Sequence, residues 1–152
     1  MNKVSANHII VKNIGFSLLD EGTTIRVKTD GYSMYPFIKP GAIILIEPLK
    51  EESVPVPGEI IAWKRESGFV VHRLIRIVKS GNEVRYITRG DSCSFKDQPV
   101  SREQIAGKVV RIETGSGKIK VSGNELIRKP VYLYNRFLVW GLLRVKRVLI
   151  GS

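Results

Sequence analysis

The sequence predicts a mainly β, antiparallel domain with one helix before it and a second helix after it. Three observations support this prediction. Hydrophobic and polar residues alternate with a period of two through most of the central sequence, which is typical of half-buried strands. Clusters of glycine, proline and asparagine separate these runs, as turns separate antiparallel strands. The alternation of strands and helices that would indicate a parallel sheet is missing from the sequence.

The chain divides into three predicted segments: an N-terminal helix in 1–22, a β domain in 23–125 and a helical tail in 126–152. Residues 5–21 have apolar side chains at helical spacing, and Gly22 suits the end of that helix. The period then changes to two, which predicts strands. The predicted strands lie at residues 24–29, 42–47, 60–64, 69–79, 83–89, 105–113 and 118–121.

Two features of these strands can be predicted in more detail. Residues 42–47 form a continuous apolar run, which favours a strand that is buried on both faces. Residues 69–79 and 83–89 are separated by Ser80-Gly81-Asn82. This turn sequence predicts a hairpin.

Composition limits the functions that the chain can have. The chain has 152 residues and is 43% hydrophobic, so it can bury a core as one domain. Its single cysteine, Cys93, excludes an intramolecular disulfide framework and a zinc site built on several thiolates, and His8 and His72 leave few ways to make a histidine-rich metal site. The net charge of +11 indicates an anionic partner, an anionic membrane surface or simple solubility, and does not choose among them.

The localisation expected from the sequence is cytoplasmic. Polar residues interrupt the apolar residues of 1–20, so this segment does not resemble a secretory signal. No uninterrupted apolar run approaches the ~18 residues that cross a bilayer. We therefore expect neither a signal peptide nor a transmembrane helix.

The tail at 126–152 carries six basic residues and no acidic residue. Its apolar residues recur at spacings of three and four, which predicts a basic amphipathic helix. One interpretation is peripheral contact with an anionic membrane, with Trp140 and Tyr132 near the headgroups. The other is a helix that packs on the domain and keeps its basic residues in water.

Three polar clusters interrupt the β sequence: 31–36, the neighbourhood of His72, and 90–97. A serine needs a base to attack a carbonyl, and histidine has a suitable pKa for that role. A carboxylate on the far imidazole nitrogen would orient the ring. Ser33, His72 and Asp97 supply one group of each kind.

Each of these residues also has a purely structural interpretation. Ser33 would suit the cap of a turn. His72 would suit one face of a strand, as an ordinary core or surface histidine. Asp91 and Asp97 would both suit turn positions.

Six segments resemble, in order, the motifs of type I signal peptidases. They are Gly31–Pro36, Lys39–Ile44, Pro57–Trp63, Val71–Ile75, Thr88–Asp97 and Gln104–Val110. The resemblance covers residues 24–113 and implies the antiparallel β fold of signal peptidases and SOS-repressor peptidases. It also implies a serine endopeptidase that needs no cofactor and acts on polypeptide precursors.

The resemblance assigns a role to each matched residue. Ser33 is the implied nucleophile, His72 the general base and Asp97 the acid that orients it. Asp91 is a second acid of the same motif, with a structural role. Most bacterial members of the family have lysine as the base. The pair His72-Arg73 instead resembles the histidine-base subtype, which is found in the endoplasmic reticulum.

The implied substrate-binding and oxyanion residues are Gly31, Tyr32, Met34 and Pro36. Signal peptidases usually have a serine where this chain has Gly31, so the oxyanion site would depend mainly on backbone N–H groups, including that of Ser33.

Two further departures concern the rest of the family pattern. Ser92-Cys93 replaces the usual Asn-Asn, and the N-terminal membrane anchor of the family is missing from the pattern.

The expected function is therefore cleavage of leader or signal-type segments from precursors. One alternative is an SOS-repressor-like autoprotease, although the Ala-Gly bond at Ala106-Gly107 follows Ser33 instead of preceding it. Another is an inactive basic β domain that binds anionic lipid or nucleic acid. We expect no nucleic-acid partner, because no basic motif with interleaved aromatic residues occurs.

Overall fold

A computed structural model describes residues 15–65, 68–114, 119–121 and 137–145. The described residues form one antiparallel β sheet, with helical residues at 15–20 and 137–145. The predicted fold class, a mainly β domain with helical residues before and after it, is confirmed.

Within the described residues the sheet contains seven strands. Six follow the spatial order β1-β2-β6-β3-β4-β5, and β7 pairs with β6. The strands are β1 (Ile25–Lys28), β2 (Ile43–Pro48), β3 (Ile60–Arg65), β4 (Gly68–Ser80), β5 (Glu83–Arg89), β6 (Ile105–Glu113) and β7 (Ile119–Val121). Every strand lies within one residue of its predicted limits, because period-two patterning and turn residues determine strands locally.

The predicted hairpin is confirmed. Ser80 pairs with Glu83, and Gly81 lies between them with φ of 57°. Glycine adopts this left-handed conformation without the steric cost that a side chain would add.

The prediction that residues 42–47 are buried on both faces is wrong. Ile44 and Ile46 are fully buried, but Ile43 and Leu45 are half-buried and Glu47 is exposed. The reason is that only the face with Ile44 and Ile46 packs into the main core. Continuous apolar sequence does not distinguish a partly covered second face from a fully covered one.

β3, near the centre of the sheet, is buried on both faces. Ile60 and Ala62 pack in the main core, whereas Ile61 and Trp63 pack in a second cluster. Consecutive strand residues point to opposite faces, so the two clusters lie on the two sides of β3. His72 pairs with Ile61 from the neighbouring β4, which fixes its position on the sheet.

The two predicted helices are confirmed where the structure describes them. Residues 15–20 are helical, and Leu19 is buried in the main core. The rings of Phe16 and Phe69 stack, with 3.7 Å between their centroids. The rest of the predicted segments 1–22 and 126–152 lies outside the described residues. Neither stretch of described helix has the length and apolar character that crossing a membrane requires.

Candidate active site

Ser33 lies in a compact loop that follows β1. The Tyr35 backbone N–H donates to the Tyr32 carbonyl at 3.0 Å, and the Ile38 N–H donates to the Met34 carbonyl at 2.9 Å. The side chains of Met34 and Ile38 are buried in the main core. They fix the loop to the sheet while Ser33 remains half-buried.

His72 and Asp97 are in direct contact. His72 Nδ1 lies 2.6 Å from Asp97 Oδ2. The Thr88 hydroxyl donates to the same carboxylate oxygen at 2.6 Å, and the Asp97 backbone N–H donates to the Thr88 carbonyl at 2.9 Å. Thr88, which is fully buried on β5, therefore holds Asp97 at two points.

The surroundings of Asp97 keep its carboxylate ionised. Burial raises the pKa of Asp97, whereas the hydrogen bonds from His72 and Thr88 and the charges of His72 and Arg65 together lower it. The net pKa is below the ordinary value of 3.8. An ionised carboxylate accepts the Nδ1–H of His72, which leaves the Nε2 lone pair as the basic site of the neutral ring.

Gly90 lies where the serine loop and the histidine ring meet. A Cβ atom at Gly90 would be 2.6 Å from the Ser33 carbonyl oxygen and 3.0 Å from His72 Nε2. The distance to the Ser33 carbonyl is too short for a real Cβ atom and the distance to His72 Nε2 is unusually tight, so glycine suits this position. The structure thus brings the Ser33 backbone and the basic nitrogen of His72 to one place.

Ser92 connects the serine loop to the loop that carries Asp97. Its backbone N–H donates to the Ser33 carbonyl at 2.9 Å, and its hydroxyl donates to the Tyr32 carbonyl at 2.7 Å. These bonds hold the Ser33 backbone in place across a long sequence separation.

Asp91 lies in the same loop and forms a buried ion pair with Arg73. Arg73 Nε and Nη2 donate to the two carboxylate oxygens at 2.9 and 2.7 Å. Arg73 Nη1 donates to the Gly58 carbonyl at 2.9 Å, and the guanidinium lies 4.7 Å from the Phe37 ring. Arg73 therefore joins β4 to three loops, including the one that carries Ser33.

The predicted oxyanion and substrate residues occupy different surroundings. Gly31 is exposed, and a Cβ at that position would meet nothing within 4 Å. Tyr32 and Pro36 are half-buried beside Ser33. The Met34 side chain lies in the core, so only its backbone is available to a substrate.

Sequence reasoning missed the roles of Thr88, Gly90 and Ser92. All three lie within the matched segment Thr88–Asp97, but no local pattern assigns them a partner.

The neighbouring Cys93 is half-buried. Burial raises the pKa of its thiol above 9.0, and the charge of Asp97 raises it further.

The chain is similar in part to a known bacterial protein. No family model matches the chain. Signal peptidase I W of Bacillus subtilis (strain 168) is 29% identical over 86 residues. The match covers 55% of this chain and 45% of the relative, so the chain spans less than half of that protein's length. This similarity supports a distant relationship between the chain and signal peptidase I.

Proposed function

We propose that this chain is a serine endopeptidase that removes leader or signal-type segments from polypeptide precursors. Ser33 is the nucleophile, His72 is the general base and Asp97 orients and stabilises the histidine. The main support is the placement of the two ring nitrogens of His72. Nδ1 contacts Asp97 at 2.6 Å, and Nε2 lies against Gly90, where the Ser33 backbone also packs.

The proposed reaction uses these groups in sequence. The Ser33 hydroxyl oxygen attacks the scissile carbonyl carbon while His72 Nε2 accepts the hydroxyl proton. Asp97 stabilises the imidazolium that forms. His72 then gives the proton to the leaving amine, the C–N bond breaks, and the acyl group remains on Ser33. Water, deprotonated by His72, releases the acyl group.

The oxyanion that forms during the attack needs hydrogen-bond donors. The residue at position 31 is glycine, which has no side-chain donor, so we assign this role mainly to backbone N–H groups that include that of Ser33. The bonds from Ser92 to the Ser33 and Tyr32 carbonyls hold these amides in a fixed orientation.

The substrate would add to the sheet as a strand along β1. Within the described residues β1 pairs with β2 on one side only, and it leads directly into the Ser33 loop. The opposite edge, β5, is partly covered, because Tyr86 bridges to Val100 and Thr88 binds Asp97. A substrate strand on β1 would therefore place its carbonyl groups near Ser33.

The alternative of self-cleavage has less support. Ala106 and Gly107 are buried in β6, and Gly107 pairs with Pro48 of β2 and Ala62 of β3. Attack on this Ala-Gly bond would require β6 to leave the middle of the sheet. A purely lipid-binding or nucleic-acid-binding domain would give the contact between His72 and Asp97 no function.

The proposal is tested with a library of precursor-derived peptides and mass spectrometry of the products. We expect the wild-type protein to cleave a subset of peptides and Ser33→Ala to cleave none above background. Ser94→Ala is the matched control, because Ser94 is half-buried in the neighbouring loop, and it should retain activity. Equal cleavage by the wild type and Ser33→Ala would refute the assignment.

A further inference from the structure

The helical residues 137–145 expose an unusual amount of apolar surface. Five of these nine side chains are apolar and between 43% and 73% exposed. They are Phe137, Trp140, Leu142, Leu143 and Val145. A helix that faced water would be expected to carry polar residues at exposed positions. Several exposed apolar side chains concentrated in one short helical stretch indicate an interaction site.

The sequence in and around this apolar stretch is positively charged. Arg144 is the single charged residue of 137–145, and its guanidinium lies 4.8 Å from the centre of the Trp140 ring. The flanking sequence is also basic, since 126–152 contains six lysine or arginine residues and no acidic residue. The exposed apolar residues therefore lie in the most positively charged part of the chain.

We propose that residues 137–145 bind the surface of an anionic lipid bilayer, with the apolar side chains at the boundary between headgroups and acyl chains. Tryptophan and arginine both suit this position, because each combines apolar surface with a polar group that stays near the headgroups. Basic residues add attraction to anionic lipid. This inference does not depend on the peptidase activity.

Other partners account for only part of the observation. A nucleic acid would use the basic residues but not the exposed apolar residues. A second copy of the chain would use the apolar residues, but it would bring two segments of the same positive charge together. An anionic bilayer uses both features.

Tryptophan fluorescence tests the proposal in the full chain. The sequence has two tryptophans, Trp63 in the core and Trp140 in the helix. Trp63→Phe leaves Trp140 as the single reporter. This change removes no hydrogen bond among the described residues, because Trp63 Nε1 has no partner there. Trp140→Phe is the matched control and leaves the buried Trp63.

The probe is a vesicle of phosphatidylcholine mixed with phosphatidylglycerol, compared with a vesicle of phosphatidylcholine alone. We expect the Trp140 emission to move to shorter wavelength with the anionic vesicle only, and the response to weaken as salt is added. The emission of Trp63 should not change. Arg144→Gln should weaken vesicle binding about fivefold, the share of one basic residue at an anionic surface, while Lys28→Gln on β1 should leave it unchanged.

Four results would overturn the proposal. The first is an equal response to phosphatidylcholine alone. The second is short-wavelength Trp140 emission without vesicles that grows with protein concentration, which would indicate a second copy. The third is short-wavelength emission that is independent of concentration, which would indicate packing within the chain. The fourth is a response to duplex DNA in place of vesicles.

Discussion

Replacing Thr88 with valine would test how the site holds its acid. The change removes the hydroxyl that donates to Asp97 Oδ2 at 2.6 Å and keeps the branched shape of a fully buried side chain. A hydrogen bond to a charged group contributes about 1.5–3 kcal/mol to stability. We therefore expect Thr88→Val to lose about 2 kcal/mol of unfolding free energy near neutral pH, and Thr88→Ser to lose less because it keeps the hydroxyl.

The pH dependence separates this bond from general packing. Because the Thr88 hydroxyl helps to hold the pKa of Asp97 below 3.8, the stability that it adds is present above that pH. This stability is lost as the pH falls through the folded-state pKa of Asp97. The difference in unfolding free energy between the wild type and Thr88→Val should therefore become smaller in acid.

This difference in unfolding free energy is measured by urea unfolding, followed by tryptophan fluorescence and repeated from about pH 7 to about pH 3. A peptide cleavage assay should also show kcat reduced about tenfold, equivalent to about 1.4 kcal/mol of lost orientation at His72. The reasoning would be refuted if the difference in unfolding free energy stayed constant with pH, or if Thr88→Ser lost as much unfolding free energy as Thr88→Val.

Three further predictions concern neighbouring residues. Gly90→Ala should lower the free energy of unfolding by about 1–3 kcal/mol, because the new methyl group overpacks against Ser33 and His72, and it should abolish cleavage. Gly31→Ala lies in open space and should match the wild type in urea unfolding, so equal effects of the two changes would contradict the packing argument. Asp91→Ala should lose about 3–5 kcal/mol in the same assay because it leaves the buried Arg73 charge unpaired, and a loss under about 1 kcal/mol would show that the pair is dispensable. Burial raises the pKa of the Cys93 thiol above 9.0, so iodoacetamide should alkylate Cys93 more slowly in the folded protein than in urea at neutral pH, and the rate in the folded protein should rise above pH 9.0. Faster alkylation of the folded protein than of the unfolded protein at neutral pH would contradict this prediction.

The strands could be predicted closely because their signals are local. Alternation over residues 83–89 and the Gly81 turn determine a hairpin without reference to the rest of the chain. Burial was harder to predict, since it depends on which strands become neighbours. The apolar run of β2 predicts a strand buried on both faces, but β2 is covered fully on one face only, whereas the central strand β3 is covered on both.

The three groups proposed for catalysis could be identified from their chemistry and from motif order. Their supporting residues could not. Thr88 supports Asp97 because the loop after β5 folds back onto that strand, and Ser92 supports Ser33 because that loop also meets the loop after β1. Both contacts arise from tertiary packing, which leaves no periodic pattern in the sequence. The close approach of Gly90 to Ser33 and His72 is likewise visible only in the folded chain.

A crystal structure of the protein with a peptide aldehyde, derived from a precursor that it cleaves, tests the central claim most directly. We predict a covalent bond between the Ser33 hydroxyl oxygen and the aldehyde carbon. His72 Nε2 should lie within about 3 Å of that oxygen, and the peptide should pair with β1. An aldehyde bound elsewhere, or a His72 ring whose Nε2 points away from Ser33, would contradict the account.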